Sequence, residues 1–538
     1  MNAPVHSSPL AGTGRLLRLY LRLDRVRLSV WILAFLVLIP STVVSLQATF
    51  TDRESLQARA MLQDNPAAIM MTGPLFSRDD YTFGVMLASE LSLWVFLAAA
   101  IMSVLFMVRH TRADEEAGRL EMLRALPVGR FASPAAALLL VALADLAVGA
   151  AVAAGLTVPG MAVTDSLAFG LATTLTGLVF GAIAAVAAQL TGSSRAATGL
   201  GVSAIVLAFV IRGIGDVIDH QGSWLSWFSP FAWAQQTRLY ADLRWWPLVV
   251  SAVVAAGLTA LALYLSGRRD LGAGLRQDRP GPARASSALL SPAGLAHRLE
   301  APTFVAWTVG LFFFAVAFGS LTTELDGVVE QMPAIGEWTD LNLEDLTRSF
   351  GGLVLAYLSL GPVILLVSGV LRLRAEERDG RITGLLTSGG SRPGLLSGWC
   401  AVVAVEAVLV QVVLGFGLGL GMTVASGEAR WLGEIPAASL AYLPAILFFG
   451  ALAAALFGLL PRFTVLAWVL TAWTAVVLFL GELLDLPDWA RGLSPLWHTP
   501  AVPDADLDPV PLVVLVVLVV LLTVIGLAGF RRRDIAEG

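Results

Sequence analysis

The sequence predicts an all-α integral membrane protein of twelve transmembrane helices, arranged as two tandem six-helix repeats. The first observation is composition: 57% of the 538 residues are hydrophobic, only 14% are charged, and the mean hydropathy is +0.77. One soluble core cannot hide that much apolar surface, so the composition indicates a chain that lies in a lipid bilayer. The second observation is an internal repeat, and the third is the number of apolar segments long enough to cross a bilayer.

Four short motifs of the first half return in the second half at a nearly constant distance. The longest is Arg-Ala-Asp-Glu at 112–115, which returns as Arg-Ala-Glu-Glu at 374–377. The other three are Gly-Asp at 215–216, Ser-Pro at 229–230 and Arg-Asp at 269–270, which return as Gly-Glu at 481–482, Ser-Pro at 494–495 and Arg-Asp at 533–534. A shift of roughly 265 residues, kept over half the chain, indicates a duplicated unit.

Each half contains six apolar windows of about 20 residues, the length that crosses the hydrocarbon layer. In the first half they are Leu28–Leu46, Phe83–Val108, Pro134–Val158, Leu167–Leu190, Ala197–Ile214 and Trp246–Leu265. In the second half they are Thr303–Leu321, Gly351–Leu371, Leu395–Ala425, Ala437–Leu460, Thr464–Leu484 and Val510–Phe530. The predicted organisation is therefore a six-span half at 1–266, a linker rich in Arg, Gly and Pro at 267–298, and a second half at 299–538.

The distribution of arginine orients the predicted helices. All 35 basic residues are arginines, and most fall on one side if the N-terminus is cytoplasmic. Because short cytoplasmic loops retain basic residues, both termini are predicted to lie in the cytoplasm. The use of arginine without lysine and the richness in Ala, Gly and Val suggest a bacterial source, and hence a bacterial cytoplasmic membrane. The segment 323–349, which is rich in acidic residues, then lies outside. The apolar run that begins near Leu28 is too long for a signal peptide and is read as an uncleaved first span.

Before the first span, basic and apolar residues occupy different faces of a predicted helix. The arginines are Arg15, Arg18, Arg22 and Arg25, and the apolar residues are Leu16, Leu19, Tyr20 and Leu23. This pattern predicts a separate interfacial helix on the inner leaflet. The alternative is a plain basic anchor that only fixes the orientation of the first span.

The longest repeated motif lies in two charged segments, each directly after the second span of its half. We define the first charged segment as residues 112–123 and the second charged segment as residues 374–385. In each, a glutamate precedes an arginine by four residues, and this spacing predicts ion pairs between Glu115 and Arg119 and between Glu377 and Arg381 on a short helix. A glycine interrupts each predicted helix, at 118 and 380.

The first charged segment, with its Glu-x-x-Gly pattern followed by Pro127 and Arg130, resembles the coupling segment of type-2 ATP-binding-cassette exporter permeases. A six-span half that begins with an amphipathic helix also resembles these permeases. The fused pair of halves is similar to the permeases of actinobacterial antibiotic and polyketide exporters, over nearly the whole chain. The second copy departs from the pattern at Thr383 and Gly384, where the first has Glu121 and Met122, and this leaves the equivalence of the two segments open.

The resemblance implies that each charged segment docks in a groove of a separate ATPase subunit. The residues to which this coupling role is carried over are Arg112, Glu115, Gly118, Arg119, Arg374, Glu377, Gly380 and Arg381. The alternative is an ordinary solvated loop. Recurrence of the glutamates argues against that alternative, because orientation alone would preserve only the basic residues.

Several site types are missing from the sequence. It contains neither a G-x-x-x-x-G-K-[ST] phosphate loop nor any lysine, so we expect no cofactor in this chain. The resemblance to exporter permeases then implies that ATP and magnesium are held by a partner ATPase, in two copies for two charged segments. Cys400 and the five histidines have no metal-ligand spacing. The other expected partners are the lipid bilayer and a hydrophobic small-molecule substrate, and no nucleic acid is expected.

Three acidic residues fall inside predicted spans: Glu90, Asp145 and Glu406. An uncompensated charge at mid-bilayer costs about 2.5 to 3.5 kcal/mol even on permissive scales, so such residues should face a cavity or a partner. Asp145 and Glu406 fall at nearly equivalent positions of the two halves, which favours a place along a substrate path. Glu90 has no counterpart in the second half and is a further candidate for the same path. The alternative is a protonated acid that bonds to a neighbouring helix.

A second acidic pattern lies at the predicted outer ends of the fifth and eleventh spans. Its members are Asp216, Asp219, Glu482 and Asp485. They predict an outer gate or a re-entrant turn, and the alternative is capping and hydration of helix ends. In the ninth span, glycines at 415, 417, 419 and 421 predict close helix packing.

Two functions remain open at this point. The first is a permease subunit, not an enzyme, that exports hydrophobic or amphipathic compounds such as antibiotics, drugs or lipid-like molecules. The second is a proton-coupled secondary multidrug transporter with Glu90, Asp145 and Glu406 as a proton relay. A membrane enzyme has no support, because the sequence contains neither G-x-S-x-G nor H-E-x-x-H.

Overall fold

The computed structural model describes residues 8–63, 66–78, 80–125, 127–270, 272–275, 283–284, 286–324, 346–387, 391–481, 486–505 and 507–534. Over these residues the regular structure is helical and includes no β-strand, as predicted. The chain divides into two compact units, Met1–Gly281 and Pro282–Gly538.

Twelve helices of the described chain are long and apolar enough to cross a membrane, six in each unit, which confirms the predicted number. Those of the first unit are α1 (Thr13–Thr49), α2 (Phe83–Val108), α3 (Ala132–Thr157), α4 (Val163–Leu190), α5 (Ser194–Ile218) and α6 (Trp246–Ser266). Those of the second unit are α7 (Pro292–Gly319), α8 (Leu346–Leu358 and Leu360–Arg378), α9 (Arg392–Ser426), α10 (Trp431–Ser439 and Leu443–Leu459), α11 (Val465–Leu480) and α12 (Pro509–Arg532).

The surfaces of the outer helices are strongly apolar. Exposed valines on α12 are Val513, Val517, Val520 and Val524. Contiguous apolar surface of this kind is unfavourable in water but matches lipid tails, and the helical backbone satisfies its own hydrogen bonds there. The protein is therefore a multi-pass membrane protein.

In the first unit, α4 is the central helix and packs against α2, α3 and α6. Its inner face consists mainly of alanine and glycine, which lets the neighbouring backbones approach closely. Larger rings fill the remaining space, with Phe169 of α4 edge-on to Phe96 of α2 at 5.5 Å between ring centroids.

The predicted separate interfacial helix before the first span is wrong. Helix α1 runs without a break from Thr13 to Thr49, because the sequence offers no glycine or proline between Arg15 and Leu28 that would end it. The face that meets the rest of the unit carries Leu16, Tyr20 and Asp24. Leu19 and Leu23, predicted to share the apolar face, are exposed.

The glycine pattern of α9 does produce close helix contacts, as predicted. A Cβ atom at Gly417 or Gly421 would lie within 2.8 or 2.2 Å of a backbone carbonyl oxygen of α7. Gly415 and Gly419 instead face α10, where a Cβ at Gly419 would lie 2.5 Å from the carbonyl oxygen of Trp431. The alternating glycines thus let two different helices approach α9.

We expect Gly421→Val to separate α7 from α9, because the added side chain would overlap the carbonyl of Val316. Overpacking of this kind costs about 1–3 kcal/mol, and thermal unfolding of the detergent-purified protein, followed by tryptophan fluorescence, should show a lower midpoint. The matched control is Gly310→Val on α7, where the Cβ position has open space. Equal midpoints for the two variants would contradict the assigned contact.

Candidate functional site

The first charged segment follows α2 through a change of helix type. The chain makes a π-helical turn at Arg109–Ala113 and one α-helical turn at Asp114–Glu116, and then breaks at Gly118. Gly118 has a φ of 70°, a left-handed conformation that favours glycine. A short helix, Arg119–Arg124, begins directly after it. The glycine therefore ends one helix and turns the chain into the next.

Glu115 is buried and is the centre of the first charged segment. Its two carboxylate oxygens accept hydrogen bonds from the two terminal nitrogens of Arg269, at 2.6 and 2.7 Å, and one of them also accepts from the backbone N–H of Gly272 at 2.6 Å. Arg112 approaches the same carboxylate at 3.2 Å. Such a bidentate pair is the strong form of a charge-assisted hydrogen bond. It fastens residues 269–270 and 272–275, which follow α6, to the end of α2.

Arg112 is fully buried and also binds the backbone. Its Nε donates to the carbonyl of Ala188 at 3.1 Å, and one terminal nitrogen donates to the carbonyl of Ala273 at 3.3 Å. Burial is compensated here by the carboxylate and by two carbonyl oxygens, as a buried guanidinium requires. Arg112 therefore stabilises the segment through buried contacts and is not part of its outer surface.

The second charged segment repeats this arrangement. Glu377 is buried, and its carboxylate accepts from both terminal nitrogens of Arg533 at 2.7 and 2.9 Å. The Arg533 guanidinium also stacks over the rings of Phe457 and Phe530. Gly380 has a φ of 71°, nearly the value of its counterpart, and a short helix, Arg381–Thr387, follows. Arg374 differs from Arg112, since it donates to the hydroxyl of Thr464.

The predicted ion pairs between residues four apart are wrong in both segments. Arg119 instead binds Asp114, at 2.9 and 2.8 Å from its Nε and a terminal nitrogen, and Arg381 binds Glu376. The reason is the left-handed glycine, because the four-residue rule holds only along a continuous helix. The hydrogen bond from Arg381 to Glu376 raises the pKa of the arginine.

The predicted coupling residues fall into a buried and an exposed group. Glu115 is 6% exposed and Glu377 5%, so neither can be the main contact for a partner. The side chains of Arg119 and Arg381 are 55% and 53% exposed, and Met122 on the first short helix is 68% exposed. The buried group fixes the shape of each segment, and the exposed group forms its outer surface.

Glu90, in the first half of α2, is bound by two side chains of a neighbouring short helix. The Nε of Arg59, on the short helix Arg53–Gln63, donates to its carboxylate at 2.7 Å, and the side-chain amide of Gln63 donates at 2.8 Å. Burial lowers the pKa of Arg59, but the charge and hydrogen bond of Glu90 outweigh this, and the pKa lies above its usual value. Glu90 therefore fastens the Arg53–Gln63 helix to α2.

Asp145 of α3 is buried between α2 and α4. Its carboxylate accepts from the hydroxyl of Ser103 at 2.6 Å, and it packs against the backbone of Gly177, where a Cβ atom would lie 2.3 Å from a carboxylate oxygen. Glu406 of α9 has a different kind of partner, since it bonds to Nδ1 of His297 on α7 at 2.9 Å. The two acids thus contact different helices of their respective units.

The described residues of the predicted outer gate comprise one buried and one exposed acid. Asp216 is buried and binds Arg212 at 3.2 Å and the hydroxyl of Ser226 at 2.6 Å. Arg212 in turn donates to the carbonyl of Ile69 at 3.3 Å, so the pair joins α5 to two short helices, Pro66–Thr72 and Ser226–Phe228. Asp219 is exposed and accepts from the N–H of Gln221 after the helix end. Glu482 and Asp485 lie outside the described residues.

The chain was compared with known proteins. A family model described as multidrug efflux system permease Rv1217c, C-terminal domain, matches residues 14–265 and 289–531. The chain belongs to this permease family. It is 37% identical over 548 residues to the multidrug efflux system permease protein Rv1217c of Mycobacterium tuberculosis, covering 99% of this chain and 97% of that protein.

Sequence reasoning missed the arginines that hold the buried glutamates of this permease. Arg269 and Arg533 were visible only as a recurring Arg-Asp motif with no assigned role. The signal that could have found them is spacing, since the glutamate and its arginine are 154 residues apart in the first unit and 156 in the second. Two repeats that keep both motifs at one separation favour a contact between them.

We expect Glu115→Ala to loosen the first charged segment of the permease, because Arg269 and Arg112 would remain buried without their carboxylate. Removing one partner of a buried ion pair costs about 3–5 kcal/mol, and limited trypsin digestion should cleave near residues 109–124 sooner than in the wild type. The control is Glu121→Ala, an exposed glutamate of the same segment. An unchanged digestion pattern for Glu115→Ala would argue against the buried pair.

Asp145→Asn should leave both folding and transport near wild type, because the amide oxygen can still accept the Ser103 hydroxyl. Asp145→Leu should lower the unfolding midpoint, since a branched side chain meets the backbone of Gly177. Unfolding midpoints and transport rates of both variants measure this. If Asp145→Asn folds normally yet loses transport, the acid belongs to a substrate or proton path instead.

Proposed function

We propose that this permease exports hydrophobic or amphipathic compounds and is driven by separate ATPase subunits that bind its two charged segments. The observation that carries the proposal is the shared geometry of those segments. Each has a buried glutamate held by an arginine, a left-handed glycine, and then a short exposed helix. A solvated loop that served only orientation would need none of these contacts. The name of the mycobacterial relative supports drug efflux as the process.

The contacts give each segment a mechanical role. A force on the exposed helix Arg119–Arg124 reaches α2 through the continuous backbone. It also reaches the end of α6, because Glu115 is paired with Arg269, and Arg269 lies three residues after that helix. In the second unit, Glu377 and Arg533 connect α8 with the end of α12 in the same way. One docked partner could thus move two membrane helices of a unit together.

The rest of the assembly follows from this role. ATP and magnesium would be bound by the partner, in two copies for two charged segments, and both termini would lie in the cytoplasm with those segments. The two units would be copies of one duplicated six-span half, inserted in the same direction. The membrane would be the bacterial cytoplasmic membrane.

A half-open apolar pocket of the second unit supports an apolar cargo. A cavity of about 220 Å³ lies between α8, α9, α10 and α12. Its lining includes Leu366, Val370, Cys400, Leu447, Val519 and Leu527. This volume is smaller than a typical drug-sized pocket, so it suits part of a molecule, such as a hydrocarbon chain.

Proton-coupled transport has less support from the same contacts. A proton relay needs acids that can pass a proton from one to the next. Glu90, Asp145 and Glu406 instead have separate partners on different helices. The deciding experiment is transport in liposomes with and without the partner ATPase. ATP-dependent, uncoupler-resistant transport is expected, and full activity of the permease alone would overturn the proposal.

We expect Met122→Asp to weaken ATPase binding by about tenfold or more, because a central apolar contact of an interface contributes more than about 1 kcal/mol. The side chain is exposed, so folding should be unchanged. Co-purification with the ATPase and substrate-stimulated ATP hydrolysis measure the loss. Leu290→Asp, an exposed leucine outside both charged segments, is the control and should bind normally. Normal coupling in Met122→Asp would exclude this surface as the docking site.

A further inference from the structure

Behind the first charged segment lies a chain of alternating acidic and basic side chains that starts on α1. Asp24 of α1 is buried and accepts a hydrogen bond from Nε2 of His110. The other ring nitrogen of His110 lies 3.6 Å from the carboxylate of Asp114. Asp114 then binds Arg119 at 2.9 Å, on the exposed short helix. The chain therefore connects the first helix of the unit with the outer surface of its charged segment.

The second unit contains an equivalent chain, with glutamates in place of both aspartates and an arginine in place of the histidine. Glu300 of α7 lies 3.1 Å from Arg372, the Nε of Arg372 lies 4.0 Å from Glu376, and Glu376 binds Arg381. His110 and Arg372 are separated by 262 residues, the spacing of the repeated motif itself. The base in the second position is thus a histidine in one unit and an arginine in the other.

We propose that these bases are positioning residues for the charged segments, and that the first segment is connected to α1 through this chain only when His110 carries a proton. The second segment is held at all physiological pH values, because arginine does not lose its proton in proteins. The consequence for transport rests on the proposed function, whereas the positioning itself does not. The permease would then have one proton-sensitive and one permanent connection to its coupling surfaces.

The geometry around His110 determines the direction of the effect. The imidazole is buried, and each ring nitrogen faces a carboxylate, on Asp24 and on Asp114. Only the protonated ring is positively charged and has an N–H on both nitrogens, so only that form attracts both acids. After the proton is lost, one nitrogen presents a lone pair to a carboxylate and the chain is broken. The connection is therefore present at lower pH and is lost as pH rises.

The other charged groups around His110 do not remove this dependence. Asp24 is also bound by Arg27 at 2.9 Å and Arg109 at 3.0 Å, and Asp114 by Arg119. These arginines keep their charge across the relevant range. The ring of Tyr20 lies over His110 at 4.3 Å and its hydroxyl bonds to Ser133 of α3.

Helices α4 and α5, which also pack against this turn, present their polar groups to other partners. Gln189 at the end of α4 accepts from Arg269, and the carbonyl of Ala188 accepts from Arg112. On α5, Ser194 binds Glu116, which also feels the charge of Arg195. Of the residue types in this chain of contacts, histidine is the one that in general exchanges a proton near neutral pH.

Hydrogen exchange of the purified permease tests the positioning without any ATPase. Between about pH 6 and pH 8.5, protection factors of the Arg119–Arg124 amides should fall about fivefold or more, while those of Arg381–Thr387 stay level. His110→Arg should abolish the fall in the first segment, and Arg372→His should introduce one in the second. His498→Asn, at an exposed histidine of the second unit, should leave both profiles unchanged.

Two outcomes would overturn the inference: a level profile for the first segment in the wild type, or the same fall in His110→Arg. Should His110→Arg fold poorly, Asp24→Asn gives the same test, since it should lower protection in the first segment alone at low pH. With the ATPase present, ATP-driven transport should decline with pH in the wild type and not in His110→Arg. Absence of ATP-driven transport at every pH would refute the proposed function and leave the exchange result standing.

Discussion

The geometry of both charged segments depends on one interaction, the bidentate pair between a buried glutamate and the arginine that follows the last helix of the unit. A carboxylate removed from water is tolerated only when its lone pairs are filled. Glu115 meets this condition with Arg269, Arg112 and the N–H of Gly272. The pair turns a charged stretch that could be a loose loop into a fixed surface at the end of two membrane helices.

The two units use different side chains to stabilise the buried glutamate–arginine pair. The first unit places Arg112 against the same glutamate, whereas the second supports its arginine with two aromatic rings, Phe457 and Phe530. A second arginine beside the carboxylate, and cation–π contacts between the paired arginine and aromatic rings, are alternative ways to stabilise charged groups away from water. The φ angles of Gly118 and Gly380 are nearly equal, so both arrangements are compatible with the same left-handed turn.

Much of the fold could be predicted from the sequence, because a membrane-spanning helix is recognised by the hydropathy of one continuous segment. All twelve spans were recognised in this way, and the α9 glycines were recognised by their spacing alone. Contacts that depend on helix rotation could not be predicted. The sequence could not tell whether Asp145 faces a path or Ser103, and the four-residue rule failed at Arg119 because a single left-handed glycine changes the direction of the chain.

The order in which the chain is made gives the buried pairs a further significance. Each glutamate follows the second membrane helix of its unit, but its arginine is synthesised only after the sixth. The charged segment can therefore reach its final shape only once every helix of that unit has been inserted. If the segments bind an ATPase as proposed, a half-built unit would lack a finished docking surface, and the same contact that stiffens the mature protein would also prevent a motor from engaging an incomplete one.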